Sequence, residues 1–344
     1  MSKNTLPEAD TPRAASTMVF DPCFSPRAPW FGGDLQTMAS VLSPPRVSLD
    51  DLDVEALRLP TLDGSGDILT GERLTLPGTA DSAGLARPTV VLLHGMMGDL
   101  DRGYMRVLTH TFARLGHAVV RMNLRGAGSS RPLCRRNYHA GFTTDLHAMA
   151  AALSARSDTG KLAWIGISLS GNMLLKAASE TDFVDAADHH RIVSVSAPID
   201  LIATSERFSR KRNFIYKAYL VRKIRRLGPL QPGRTPTEIA QLRRIRSVGE
   251  LDECFTAPDN GYASASEYYQ LNSAKEFIPD ARLPCLVISS ADDPWIDIGP
   301  YQAIKWHLNP LLTPVLTRTG GHVGFHGRGY RDPMYVGWSR AFLD

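Results

Sequence analysis

Short apolar runs alternate with helical stretches over most of this chain of 344 residues. Runs of four to six apolar residues are typical of strands buried on both faces of a parallel sheet, and each parallel pair needs a long crossover connection, usually a helix. The predicted strands are residues 89–93, 118–122, 162–167, 192–195, 285–289 and 314–316. The sequence therefore predicts an α/β fold with a mostly parallel central sheet flanked by helices.

Helix-spaced apolar residues separate these runs at 105–115, 145–155 and 172–179. Before them, alternating residues at 55–59 and 72–76 predict antiparallel strands at the leading edge of the sheet. The polar residues 1–20 predict a disordered N-terminal tail, and residues 21–344 a single catalytic domain.

The alternation stops after Asp200 and resumes near Pro284, which predicts a helical cap inserted at about residues 201–280. Residues 201–250 contain thirteen Lys or Arg against three Glu, so the cap is strongly basic. Such clusters are most often solvated helix faces, but they could also contact an anionic membrane or an acidic substrate. No nucleic-acid-binding motif accompanies the charge, and no nucleic-acid partner is expected.

Ser168 stands at a turn between an apolar strand and a helix, in the segment 163–173. A serine nucleophile occupies such an elbow in one class of hydrolases, and small residues are needed two positions before and after it. Gly166 meets the first requirement. Ser170 stands where the usual pattern has glycine, so a hydroxyl enters a crowded turn, where it either simply fits or shapes the site.

A serine hydroxyl needs a histidine to accept its proton and an acid to orient that histidine. The sequence supplies Asp293 and then His322, each in a loop after a predicted strand. Asp292 is the alternative acid, or else the residue that caps the turn. His326 lies four residues beyond His322 and could contact substrate. The chain order Ser, acid, His predicts a catalytic triad of Ser168, Asp293 and His322.

The oxyanion of a tetrahedral intermediate needs backbone N–H donors. We expect one from Leu169, directly after the nucleophile, and one from Met96, in the loop after the first parallel strand. The glycine-containing segment 123–130 lacks the phosphate-binding and dinucleotide-binding patterns, and Arg125 is interpreted as a structural ion-pair residue. No metal or organic cofactor is expected.

Four scattered cysteines, Cys23, Cys134, Cys254 and Cys285, show no metal-ligand spacing and fit reduced thiols. The chain has no apolar run long enough for a membrane helix, and its first residues have no signal-peptide pattern. A cytoplasmic protein is therefore expected.

The chain resembles the α/β-hydrolase superfamily, and specifically its YheT-like branch in the abhydrolase group, from about Phe31 to the C-terminus. The motifs that carry the resemblance are Gly33-Asp-Leu-Gln-Thr37, His94-Gly95, Arg121-Met-Asn-Leu-Arg-Gly126, Asn137-Tyr-His-Ala-Gly141, Gly166-Ile-Ser-Leu-Ser-Gly-Asn-Met-Leu-Leu175, Ser196-Ala-Pro-Ile-Asp200, Ala291-Asp-Asp-Pro294 and Gly320-Gly-His-Val-Gly-Phe325. The resemblance implies the same triad and an esterase or lipase-like activity. It also implies that some relatives transfer acyl groups to alcohols.

The leading hypothesis is a serine carboxylic ester hydrolase that acts through an acyl-enzyme on a small-molecule ester, which could be a lipid. Two alternatives remain open. One is an acyltransferase that uses the same acyl-enzyme, and the other is a non-catalytic binding protein on the same fold. The sequence does not define the acyl length, the alcohol or the oligomeric state.

Overall fold

The computed structural model describes residues 24–79 and 82–344, and the tail predicted over residues 1–20 lies outside these ranges. Within them, eight strands form one sheet in the order β1-β2-β4-β3-β5-β6-β7-β8. The strands are β1 (Asp53–Pro60), β2 (Ile68–Thr75), β3 (Thr89–Leu93), β4 (Val119–Met122), β5 (Leu162–Ile167), β6 (His189–Val195), β7 (Cys285–Ser290) and β8 (Leu312–Thr317).

The sheet is mostly parallel. Strands β3 to β8 pair in parallel with one another, whereas β2 is antiparallel to both β1 and β4. The predicted α/β fold is confirmed, including the antiparallel leading edge. Strand β2 begins four residues before the predicted residue 72, and β6 three residues before residue 192. Polar residues begin β6, where the imidazole of the half-buried His190 hydrogen-bonds the carbonyl of Leu343 at 2.9 Å.

Helices cover both faces of the sheet. They are α1 (Gly33–Leu42), α2 (Ala83–Ala86), α3 (Gly103–Arg114), α4 (Thr143–Ser154), α5 (Leu169–Ala177), α6 (Thr181–Asp185), α7 (Leu201–Ser209), α8 (Phe214–Leu227), α9 (Pro236–Leu242), α10 (Val248–Leu251), α11 (Ala257–Asp259), α12 (Ala265–Asn272), α13 (Gly299–Ala303) and α14 (Met334–Leu343). A π-helical turn, Asp252–Thr256, joins α10 to α11.

The core explains why the strands are continuous apolar runs. Along β5, Trp164 packs into one apolar cluster, whereas Ala163 and Ile165 pack into another. Side chains alternate between the faces of a sheet, so a strand with helices on both sides needs apolar residues at every position.

Residues 201–280, here called the cap segment, lie between β6 and β7 and contain helices α7 to α12 with no strand.

Arg125, in the loop after β4, is fully buried and forms ion pairs with Asp63, Asp67 and Asp145. These contacts join the loop after β4 to the β1–β2 hairpin and to α4, and so give Arg125 a structural setting.

Candidate active site

The carboxyl ends of β5, β7 and β8 bring Ser168, Asp293 and His322 together. Parallel strands place these ends at one edge of the sheet, where ligands bind in open α/β folds. The imidazole Nε2 of His322 lies 3.0 Å from the hydroxyl of Ser168. The Nδ1 of the same ring lies 2.8 Å from the carboxylate of Asp293. The three side chains therefore form a continuous hydrogen-bonded line.

Ser168 occupies a strained turn directly before α5. Its backbone has φ 56° and ψ −117°, a conformation that non-glycine residues rarely adopt. The loop after β3 passes close by, since a Cβ added to Gly95 would lie 3.0 Å from the Cβ of Ser168. A Cβ on Gly166 would lie 2.7 Å from the backbone of Ser170. The small residues of the elbow are thus required by close packing.

The two neighbouring aspartates have different partners. Oδ2 of Asp293 accepts from His322, while its Oδ1 accepts from the backbone N–H groups of Trp295 at 2.7 Å and Ile296 at 3.0 Å. Asp292 instead accepts from the backbone N–H of Gly321 at 2.8 Å, and burial raises its pKa. Asp292 therefore braces the His322 loop and does not contact the imidazole.

Contacts from distant parts of the chain hold the loop of His322. The backbone N–H of His322 donates to the hydroxyl of Thr37 at 2.8 Å, and that of Val323 donates to Ser196 at 3.1 Å. A Cβ on Gly33 would lie 1.9 Å from the carbonyl oxygen of Asp292, so α1 packs directly on the neighbouring loop. Sequence reasoning gave Thr37 and Ser196 no role, although both belong to motifs of the family resemblance.

The backbone N–H groups of Met96 and Leu169 are the two predicted oxyanion donors. Within the described residues, neither Met96 nor Leu169 donates its backbone N–H to another protein group. The N–H groups of Gly95 and Met97, on either side of Met96, donate to the hydroxyls of Tyr104 at 3.1 Å and Tyr138 at 2.6 Å. The N–H of Met96 is therefore left without a protein acceptor in the described residues. Met96 lines the same cavity as Leu169, which begins α5 at its positive end.

The buried imidazole of His94 fixes the same loop. Its Nε2 accepts from the N–H of Leu124 at 3.1 Å, so its Nδ1 carries the proton and donates to the carbonyl of Gly95 at 2.8 Å. Burial lowers the pKa of His94 to about 4, which keeps the ring neutral at pH 7. Sequence reasoning did not assign this role to His94.

The hydroxyl of Ser170 is fully buried beneath the elbow. It accepts from the backbone N–H of Ile167 at 2.9 Å and donates to the carbonyl of Leu93 at 2.9 Å. The second contact joins α5 to the end of β3, directly before the loop that holds Met96. Ser170 therefore replaces the usual glycine with a hydrogen-bonded link between two parts of the site.

Replacement of Ser170 by alanine is expected to lower the free energy of unfolding by about 1–3 kcal/mol, because buried backbone groups lose their partner. The ester selectivity of the folded protein should not change. Urea unfolding and kinetics with esters of different acyl length measure the two effects. Ser194→Ala is the matched control, because the Ser194 hydroxyl is buried with no hydrogen-bond partner in the described part of the chain. Equal stability losses in both variants would contradict the linking role of Ser170.

The cap segment contacts the loop of Asp293, and Trp295 of that loop packs on the histidine. Arg207 donates to the backbone carbonyl of Asp293 from Nε at 3.2 Å and from Nη2 at 2.8 Å. Asn213 donates to the carbonyl of Pro294 at 2.8 Å. Trp295 lies against the imidazole of His322, with ring centroids 4.3 Å apart. These contacts shield the line from Asp293 to His322 from bulk water.

A cavity of about 770 Å³ lies above Ser168, between the sheet domain and the cap segment. Ser168, Leu169, Met96 and His322 line it, and so does His326, whose pKa is lowered to about 4 by burial. His326 is thus near the site but outside the hydrogen-bonded line. The cavity has the volume of pockets that hold drug-sized ligands.

Comparisons with known proteins agree with this architecture. A family model described as alpha/beta hydrolase fold matches residues 88–328. The chain is 34% identical to YheT of Escherichia coli (strain K12), named as a candidate esterase, over 70% of this chain and 71% of that protein. The chain belongs to the α/β-hydrolase family. Within that family, it belongs to the YheT-like group.

Two further proteins are similar. The monoacylglycerol lipase of Saccharomyces cerevisiae is 29% identical over 72% of this chain, which spans 58% of the lipase. The solved structure of a Pyrococcus furiosus esterase has a TM-score of 0.57 and 18% identity, and the match covers 88% of this chain and 98% of the esterase. The latter likeness shows a shared fold. Among the residues that the structure describes, no helix has the length and apolarity to cross a membrane.

Proposed function

We propose that this protein is a serine hydrolase that cleaves carboxylic esters. The observation that carries the proposal is the hydrogen-bonded line from Ser168 through His322 to Asp293, with distances of 3.0 and 2.8 Å. The family and the esterase and lipase names of the relatives support a hydrolase that acts on esters.

Each group has a role in this reaction. His322 accepts the proton of Ser168 as the hydroxyl oxygen attacks the ester carbonyl, and Asp293 holds the imidazole in the tautomer whose Nε2 is free to accept. The N–H groups of Leu169 and Met96 stabilise the oxyanion. The protonated His322 then donates its proton to the leaving alcohol. Water deprotonated by His322 attacks the acyl-enzyme and releases the acid.

A fluorophosphonate probe tests the nucleophile directly, because it forms a covalent bond with an activated serine hydroxyl. We expect stoichiometric labelling of Ser168 in the folded protein and none after heat unfolding. Absence of labelling would favour a non-catalytic binding protein on the same fold.

Product analysis of p-nitrophenyl butyrate turnover in the presence of ethanol separates the remaining alternatives. Butyric acid as the main product supports hydrolysis, and ethyl butyrate as the main product would identify an acyltransferase.

We also propose that the enzyme takes ester substrates from a lipid surface. Helices α1 and α8 are in contact, since the hydroxyl of Tyr216 donates to Asp34 at 2.9 Å. Both helices carry exposed apolar residues: Val41, Leu42, Phe214, Ile215 and Tyr219. We call this set the α1–α8 surface. Val41, Ile215 and Tyr219 also line the cavity, so the cavity opens at this surface.

Charge supports an anionic bilayer as the occupant of the α1–α8 surface. Exposed basic residues flank its apolar part on and beside α8: Arg210, Lys211, Arg222, Arg225 and Arg226. Each Lys or Arg near an anionic bilayer contributes about 1 kcal/mol, and apolar side chains add to this by insertion.

Flotation with vesicles tests this docking. The protein should bind phosphatidylglycerol vesicles more tightly than phosphatidylcholine vesicles, and salt should weaken the binding. Replacing both Phe214 and Ile215 by serine should lower the affinity at least roughly tenfold, because two apolar side chains no longer insert. Leu62→Ser, at an equally exposed leucine on the β1–β2 hairpin, is the control and should bind normally. Binding that is insensitive to lipid charge and salt would contradict the proposal.

A further inference from the structure

A polar cluster of three residues lies in the cap wall of the cavity. The carboxylate of Asp252 accepts from the hydroxyl of Tyr269 at 2.7 Å and from the hydroxyl of Thr256 at 2.8 Å. All three residues line the cavity. Asp252 and Thr256 are the two ends of the π-helical turn, an irregularity that is frequent at functional sites.

The carboxylate of Asp252 has no cationic partner. Among the described residues, its interactions come from the hydroxyls of Tyr269 and Thr256 and from no Lys or Arg. It lies deep enough for burial to raise its pKa to about 6. Part of the surface of Asp252 is accessible. Because Asp252 lines the cavity, its accessible surface is explained by the cavity and its raised pKa by the surrounding protein. Partial burial of a carboxylate without a counter-ion costs stability, and a substrate group that donated to it would offset that cost.

The cluster is close to the nucleophile. Leu169, directly after Ser168, packs against the apolar cluster that contains Tyr268 and Tyr269. A substrate whose ester group reaches Ser168 therefore has Tyr269 and Asp252 along the adjoining wall.

The charge of the cavity argues for a neutral group at Asp252. Of the described residues that line the cavity, seven are Arg or Lys and three are Asp. A cationic substrate would meet a net positive wall before it reached the carboxylate. A hydroxyl group carries no charge and can donate to a carboxylate oxygen that still has a free lone pair.

We propose that Asp252 accepts a hydrogen bond from a substrate hydroxyl and gives the enzyme a preference for hydroxylated esters. This inference rests on the proposed ester hydrolysis and specifies its substrate class. The hydroxyl can belong to the alcohol, as in a glycerol ester, or to the acyl chain.

Kinetics with matched octanoate esters test the inference. Propyl octanoate has no hydroxyl, glycerol 1-monooctanoate carries hydroxyls on its alcohol, and propyl esters of 3-hydroxyoctanoate and 8-hydroxyoctanoate carry one on the acyl chain. Asp252→Asn should lower kcat/KM by roughly tenfold for at least one hydroxylated ester and leave propyl octanoate unchanged, because a hydrogen bond to a charged group is replaced by a weaker neutral one. The ester that loses activity identifies the part of the substrate that carries the hydroxyl.

Two further variants sharpen the test. Tyr269→Phe removes a hydroxyl that orients the carboxylate and should reduce the same selectivity in the same direction. Glu253→Gln changes an equal charge one residue away, on an exposed side chain outside the cavity lining, and should leave all four esters unchanged. The inference would be overturned if Asp252→Asn lowered kcat/KM equally for every ester. It would also be overturned if the ratio of kcat/KM between hydroxylated esters and propyl octanoate did not change. If the unmodified protein hydrolysed none of the esters, the proposed function would fail instead.

Discussion

Replacement of Ser168 by alanine is expected to abolish ester hydrolysis, with kcat on p-nitrophenyl butyrate falling by roughly 10⁵- to 10⁶-fold. The mutant protein keeps His322, Asp293 and the two N–H donors, but it has no oxygen to form the acyl-enzyme. Alanine has the same Cβ as serine and tolerates the φ of 56° no better and no worse. The fold should therefore be kept, and thermal unfolding should show a normal melting temperature.

Ser170→Ala is the matched control, because it also replaces a serine by alanine, two residues further along the chain. Its hydroxyl hydrogen-bonds Ile167 and Leu93 beneath the elbow and does not contact His322. Assayed well below its melting temperature, this variant should keep kcat within about threefold. Ser168→Ala that retained the wild-type rate would disprove the proposed mechanism.

Replacement of Asp293 by asparagine is expected to lower kcat by roughly 10⁴-fold. Two backbone N–H groups, those of Trp295 and Ile296, point at Oδ1, so the amide oxygen of asparagine must take that position. The amide NH₂ group then faces Nδ1 of His322 and donates to it. The imidazole must carry its proton on Nε2, where it can no longer accept the proton of Ser168.

Asp292→Asn removes the same charge one residue earlier and should change kcat by less than about threefold. Its Oδ1 accepts from Gly321, whereas its Oδ2 is buried with no hydrogen-bond partner in the part of the chain that the structure describes. The amide oxygen can replace the first atom and the NH₂ group the second. A larger loss in Asp292→Asn than in Asp293→Asn would identify Asp292 as the acid and reverse the assignment.

The parallel sheet and the position of Ser168 were predictable because local sequence determines them. Burial on both faces gives β3 and β5 an apolar residue at every position, and a tight strand-to-helix turn limits its neighbours to small side chains. Strand ends were less predictable, as at β6, where the half-buried polar residues 189–191 extend the strand beyond its apolar run.

The supports of the site depend on contacts that local patterns do not encode. Thr37 binds the backbone of His322 across 285 positions of sequence, and Arg207 binds Asp293 from an inserted segment. Hydrophobic periodicity predicts which face of a helix is buried, but not which polar side chain meets a given carbonyl. For the same reason, the placement of Asp252 in the cavity wall was not predictable from the charge pattern of the cap segment.

The contacts of Arg207 and Asn213 with the backbone of Asp293 and Pro294 have a consequence for substrate entry. A cap that swung open as a rigid lid would break three hydrogen bonds to the acid loop or pull the acid away from the imidazole. Exchange of substrate and product should therefore proceed through a fixed portal between α1 and α8, while the cap stays docked. Because the cap holds the backbone of the acid loop, a partner or ligand that displaced the cap is expected to lower turnover by loosening the position of Asp293.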